Sequence, residues 1–290
     1  MNPIEVYCFC DEFTRFLNKK SLGSRAGRKS KLSTAEFMTI SFLKNTHRIP
    51  DNKALYDWLS DSKYFSSMFR SLPSYQQFNE GLNKTFSYFV LATAILVAKN
   101  KSKTSKYFVV DSTCLPICSN GYRYRCKMGK GLANSSKNLN GWWHGFKLHL
   151  IINDNMEIVS MRISSASTKD FNVLDESFVK GIVGYLVGDK GYISRRVAKY
   201  LKENFDIELL TLPRKNMKKP PVQREKIKIL KKRPIVETVF SKLKNCLGMV
   251  TSRARSLLGY MTNVFSALFA YSIQLKTSIE ISQIYEILIS

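Results

Sequence analysis

Tyr107-Phe108-Val109-Val110-Asp111-Ser112-Thr113 sets four strand-forming residues directly against a carboxylate. A short apolar run, with a Lys- and Ser-rich segment before it and turn-type residues after it, reads as a buried central strand rather than a helix. An acid at the end of such a strand lies where open α/β sheets present their chemistry. Asp111 is also the only acidic residue between Glu80 and Asp154. In a chain with 46 Lys and Arg against 22 Asp and Glu, an isolated carboxylate is either a buried partner for a cation or a ligand for a metal ion. The choice turns on whether other isolated acids fall at compatible places.

Working outward, Tyr185-Leu186-Val187-Gly188-Asp189 repeats the pattern of a short apolar strand ending in an acid. Residues 115–119 suggest a second strand after a bend, and 121–140 a basic loop. The runs 146–152 and 158–163 flank Asn153-Asp154-Asn155, a turn composition, and predict a hairpin. A helix is expected at 170–179, another at 193–204, and a strand at 208–212. Residues 214–232 form a basic, Pro-interrupted excursion, after which Pro234 suits the first turn of a helix reaching about 247. Three antiparallel-type strands followed by helix, strand, helix, strand and helix is the layout of a ribonuclease-H-like domain. That is an α/β fold with a mixed five-stranded sheet and helices on both faces.

Residues 1–103 read differently, as an all-α region. Val6, Phe9, Phe13, Phe16 and Leu17 recur at helical spacing, and 21–31 is a basic linker. Ser33-Thr34-Ala35-Glu36 matches a capping box, and shorter helices are expected near 52–59, 64–69 and from Ser74, with a long apolar one at 86–99. Short helices with tight turns on a basic chain fit a helix-turn-helix-like DNA-binding region. The Lys/Ser-rich joint at 100–106 marks the boundary, giving a catalytic domain at 104–276 and a tail at 277–290.

The formal charge of +24 favours a polyanionic partner, and the 44% apolar content suffices for a packed core. Cys114 and Cys118 with His144 and His149 could be drawn as a zinc set, but the six Cys lack CxxC spacing and read as small buried hydrophobes in a reducing cytoplasm. No signal peptide is expected. Residues 256–275 carry no charge, yet Asn263, Gln274 and interior Tyr260 and Tyr271 favour a buried helix over a membrane span.

A third isolated acid, Glu237, is the only one between Glu225 and Glu280. On a straight helix Arg233, Glu237 and Lys244 share one side, opposite Val236, Phe240 and Leu243. Hard divalent cations such as Mg²⁺ prefer oxygen ligands, and three carboxylates from two strand ends and a helix suit a two-ion phosphoryl-transfer site. Asp111, Asp189 and Glu237 are therefore the candidate metal ligands and catalytic residues, with Mn²⁺ expected to substitute for Mg²⁺. Lys137, Lys147, Arg233 and Lys244 would hold phosphodiesters, and His144 is a further candidate near the site. Trp142 and Trp143 either pack or stack an unpaired base.

These residues resemble the DDE transposases of bacterial insertion sequences. Asp111-Ser112-Thr113 resembles the first-Asp motif, Gly145-Phe146-Lys147-Leu148-His149-Leu150 the strand that follows it, and Asp189-Lys190-Gly191-Tyr192 the second-Asp motif. Pro213-Arg214-Lys215 resembles a turn of the family, and Val236-Glu237-x-Val239-Phe240-x-x-Leu243-Lys244 the helix of its catalytic Glu. Arg233, Glu237 and Lys244 are in register with a longer signature, Y-x2-R-x3-E-x6-K, with Leu230 at the Tyr position. Lys169-Asp170 stands where the family often has His-Asp, and Asp170 is assigned no catalytic part. The resemblance implies cutting at an element's terminal inverted repeats and joining of 3′-hydroxyls to target DNA. It also implies a cytoplasmic, nucleoid-associated protein, dimeric on DNA. A nuclease of the same fold that does not join strands, and a catalytically inert repressor, are the alternatives.

Overall fold

The structure, a computed structural model, describes residues 2–19, 30–62, 69, 71–101, 105–139, 141–213, 223–250 and 253–276. The expected helix at 64–69, most of the 21–31 linker, most of the Pro213-Arg214-Lys215 turn and the tail at 277–290 lie outside the described residues, as does the first part of the basic excursion. Two compact units divide the chain. One takes residues up to Leu96 together with those from Lys242 onward, and the other takes Val97–Ser241.

The helical unit contains α1 (Pro3–Lys19), α2 (Thr34–Thr46), α3 (Asn52–Asp61), α4 (Tyr75–Lys84), most of α5 (Phe86–Lys101) and α10 (Leu257–Gln274). The capping box forms as expected: Ser33 Oγ accepts from Glu36 N at 3.2 Å, and Glu36 accepts from Ser33 N. The uncharged α10 is buried along most of its length, its Phe269 ring 5.8 Å from Phe9 and 5.5 Å from Phe89. Burial of such a helix among aromatic side chains is the main gain available to it. It takes that gain against α2 and α4, so residues from Lys242 onward belong with the helices. The boundary read from the sequence placed them with the sheet. By length and composition Tyr75–Lys101 could cross a membrane; it comprises α4 and α5.

In the other unit, β1 (Phe108–Ser119) runs antiparallel to β3 (Gly141–Asn153), pairing Asp111 with Leu150 and Ser112 with His149. The second outer neighbour of β3 is β4 (Ile158–Ser165) over its C-terminal half and β2 (Asn134–Asn138) over Gly141–Gly145. On the far side β1 pairs in parallel with β5 (Gly184–Gly188), and β5 with β6 (Ile207–Thr211). The result is the mixed sheet of a ribonuclease-H-like fold with six strands rather than five. The sixth, β2, is a polar segment read as loop, because Asn-Ser-Ser-Lys-Asn carries no apolar alternation. The separate strand expected at 115–119 is instead the continuation of β1, bent by a register shift between Pro116 and Cys118. A proline cannot donate to the ladder, and such a residue sits most easily at a bulge.

The hairpin turn forms as expected, with Asn153 N donating to Glu157 O. The helix expected at 170–179 breaks into a 3₁₀ turn, Asp170–Val173, and α6 (Glu176–Val179), because Asp175 caps the second piece through Phe178 N. α7 (Arg195–Phe205), α8 (Arg224–Leu230) and α9 (Ile235–Ser241) complete the unit. One sheet face buries Phe108, Val110, Ile151 and Leu186 with Phe178 and Leu201 of α6 and α7. On the other side α9 packs on β1, with Val236 and Val239 buried. Of the six cysteines only Cys10 is buried; Cys8 and Cys246 are exposed and the remaining three are half-buried, so the buried-hydrophobe reading holds for one.

Gly145 lies where β3 passes from β2 to β4. It has φ +155°, and a Cβ there would stand 2.2 Å from Leu115 O. Gly145→Ala should cost about 2–4 kcal/mol, read as a lower denaturation midpoint.

Candidate active site

β1 and β5 run in parallel and in register, Val109 beside Val187. Two residues further along each strand come Asp111 and Asp189, brought to the same edge by that pairing. Asp111 is not at a strand end, as the sequence suggested, since β3 extends the pairing of β1 well past it. Asp111 Oδ1 accepts from Ser112 N at 2.7 Å, and Asp189 Oδ1 accepts from Gly191 N at 2.7 Å.

Arg233 joins the third acid to the first. Its Nη2 donates to Asp111 Oδ2 at 2.9 Å and its Nη1 to Glu237 Oε1 at 2.9 Å. Arg233 and Glu237 are four residues apart at the start of α9, so one guanidinium reaches both. Burial pushes the Asp111 carboxyl up to about 6, against the Ser112 amide and Arg233, and Asp189 adds to the rise. Asp111 is thus a carboxylate short of positive charge, and Arg233 supplies part of it.

Side chains alternate along a strand, so Ser112 points to the opposite face from Asp111. There Ser112 Oγ donates to Asp170 Oδ1 at 3.1 Å, and Lys147 Nζ donates to the same oxygen at 3.1 Å and to Thr168 O at 3.0 Å. His149 Nε2 meets Ser164 Oγ at 2.8 Å, and burial lowers its pKa to about 4, so it is neutral near pH 7. A Cβ on Gly191 would lie 2.9 Å from Asp189 Oδ1 and 3.0 Å from Asp170 Oδ2, which makes these two carboxylates neighbours around a glycine. Burial raises the Tyr192 hydroxyl, and Asp170, Asp111 and Asp189 all push the same way.

The structure therefore gathers Asp111, Asp189, Arg233 and Glu237, and adds Asp170, Ser112 and Tyr192. Asp170 was assigned no part because Lys169-Asp170 departs from the His-Asp of the resembling family; its link to Ser112 spans 58 residues of chain. Lys147, expected beside the acids, is taken up by Asp170 on the other sheet face. Lys137 is exposed on β2, and His144 Nδ1 meets Ser135 Oγ at 3.0 Å across the β2–β3 pair. Lys244 lies in a π turn, Lys242–Cys246, within the helical unit, so the straight-helix register that aligned it with Glu237 does not hold.

Among the described residues no three Asp, Glu, His or Cys side chains converge closely enough to hold an ion as they stand. The donors nevertheless fit a hard divalent cation. They are oxygens throughout, and the half-buried Asp111 carboxylate shares its ion partner with Glu237, so that the Arg233 guanidinium occupies the place of a cation between them. Because the folded-state pKa of Asp111 lies above its ordinary 3.8, its contribution to stability is complete below that value and is lost as pH rises through about 6. In metal-free buffer the melting temperature should fall as pH rises from about 4 to 7, by the equivalent of at most about 3 kcal/mol, and Asp111→Asn should flatten that fall.

A family profile described as Transposase DDE domain matches residues 101–257, a span that contains Asp111, Asp189, Arg233 and Glu237. No curated protein matches the chain. The match covers more than half of the sequence and falls on the mixed sheet and the helix that carries Glu237, and the chain belongs to the transposase DDE domain family.

Proposed function

We propose that the protein cuts DNA at the terminal inverted repeats of an insertion sequence and joins the freed 3′-hydroxyls to target DNA. The observation that carries this reading is the Arg233 guanidinium shared by Asp111 and Glu237, on the β1 edge that also presents Asp189. Asp111, Asp189 and Glu237 would hold Mg²⁺ or Mn²⁺. Such ions, when bound, supply Lewis acidity that activates a water or 3′-hydroxyl and stabilises the leaving oxygen.

The remaining parts of the work fall to the chain itself. β1 and β5 hold two acids on rigid, buried backbone, which limits reorganisation when charge develops. Arg233 keeps Asp111 and Glu237 from facing an uncompensated field before DNA and ions arrive. Once released, its planar fork suits a phosphodiester oxygen pair. Exposed Tyr122, Tyr124 and Trp142 stand among Arg123, Arg125 and Lys137, a mixture suited to a DNA strand through phosphate contact and base stacking. The +24 charge adds steering toward DNA. DNA contact by the helical unit, a dimer on paired ends and a cytoplasmic, nucleoid-associated location belong to the same proposal.

Incubation with a 3′-processed terminal-repeat duplex, a target plasmid and Mn²⁺ tests this reading. Covalently joined products are expected, abolished by chelator. Asp111→Asn, Asp189→Asn and Glu237→Gln should each lower joining by roughly a hundredfold or more while duplex affinity stays within a few-fold. Nicked but never joined plasmid would establish the nuclease instead, and metal-independent binding without any cleavage the repressor. Lys137→Ala should weaken duplex binding without regard to sequence and reduce the salt slope by about 1.

A further inference from the structure

The helical unit contains a cavity of about 700 Å³, within the roughly 300–1,000 Å³ range of small-molecule sites. Four cations line it, Lys44, Lys53, Arg253 and Arg255, against one acid, Asp51. Lys44 is the unusual member. It is 6% exposed, and its Nζ donates to two neutral amide oxygens, Asn52 Oδ1 and Asn263 Oδ1, each at 3.0 Å. Asn52 in turn donates to Asn79 Oδ1 at 2.7 Å, and Asn263 donates to the Gly248 and Met249 carbonyls at 3.0 Å. These amides fix the ammonium at the cavity wall without neutralising it. Burial draws its pKa down to about 8, the mark of a cation held away from water. Keeping this ammonium buried against neutral amides, with the Asp51 carboxylate offsetting part of the burial, costs stability, and an anion entering the cavity reduces that cost.

The other walls indicate what the anion is attached to. Asn79 and Asn83 offer amide donors and acceptors of the kind that read a base edge. Tyr75 presents a 39%-exposed ring, held edge-on by Tyr56 at 5.5 Å and flanked by Lys53 Nζ at 5.6 Å. The N-cap residues of α3 and of the 18-residue α10, Asp51 and Ser256, also line the cavity; the Asp51 carboxylate caps α3 and pairs with Arg253 at 3.5 Å, so the helix-end positive potential comes from α10.

We propose that this cavity binds a nucleoside phosphate, with the phosphate against Lys44 and Arg255 and the base against Tyr75 and the asparagines. The ligand is a free nucleotide or one unpaired nucleotide of a DNA strand. The site lies wholly within the helical unit, and its occupation requires neither metal nor strand joining.

Calorimetric titration of the full-length protein in EDTA distinguishes the sources, using deoxyadenosine monophosphate, inorganic phosphate and a short duplex with or without a single-stranded overhang. The monophosphate, the overhang duplex, or both should bind more tightly than inorganic phosphate or the blunt duplex respectively. Lys44→Met and Arg255→Gln should each weaken that binding at least tenfold, while Lys199→Gln, an exposed change in the other unit, should not. A response to the monophosphate identifies free nucleotide, and a response to the overhang alone identifies the strand. Arg255 is exposed, so its variant tests the site even if Lys44→Met fails to melt cooperatively. The proposal is overturned if Arg255→Gln binds as Lys199→Gln does, or if phosphate and blunt duplex bind as well as their counterparts. Since no joining is measured, either result leaves the catalytic reading to its own test.

Discussion

A single guanidinium held by two carboxylates ties together the elements that carry this protein's candidate acids. Arg233 reaches Asp111 across 122 residues of chain and Glu237 across four, tying the first strand of the sheet to the helix that docks on it. Partly buried ion pairs add little net stability, because desolvation offsets most of the attraction. The contact matters for charge balance instead. Two acids brought together by β-strand pairing, with a third nearby on a helix, repel one another unless a cation stands among them. Arginine fills that place in the structure, and under the proposed function a divalent ion would take it.

The period of a β-strand then sorts the surrounding polar residues. Asp111 and Ser112 are neighbours in sequence and face opposite ways. The first meets Arg233 beneath α9, and the second meets Asp170 and Lys147 beside the core formed with α6 and α7. Asp170 is thereby satisfied by a lysine and a serine, whereas Asp111 has only the shared guanidinium and its neighbour's amide. That asymmetry distinguishes Asp170, held by a lysine and a serine, from Asp111, whose cation is shared with Glu237. It also explains why Lys147, close to the acids in sequence logic, is committed to the far face.

Much of this was legible before any coordinates. Short apolar runs each followed by an isolated acid announced β1 and β5, since buried strands lack alternation. Asn153-Asp154-Asn155 announced the hairpin. The failures are equally physical. β2 is polar along its whole length, so no apolar pattern marked it. Pro116 suggested a break where the sheet absorbs it as a bulge. The π turn at Lys242–Cys246 defeated a face assignment that assumed uniform helical pitch. Residues 257–274 were correctly read as a buried helix but given to the wrong unit, because burial is encoded in composition and the identity of the partner is not. Asp170 depended on contacts far along the chain, which local spacing cannot register.

The most direct measurement of the central claim is the anomalous diffraction of Mn²⁺ in crystals of the protein bound to a terminal-repeat duplex. A peak is predicted between Asp111, Asp189 and Glu237, with the Arg233 guanidinium turned from the carboxylates toward a phosphate. Manganese sited elsewhere, with Arg233 still bonded to both Asp111 and Glu237, would contradict the account.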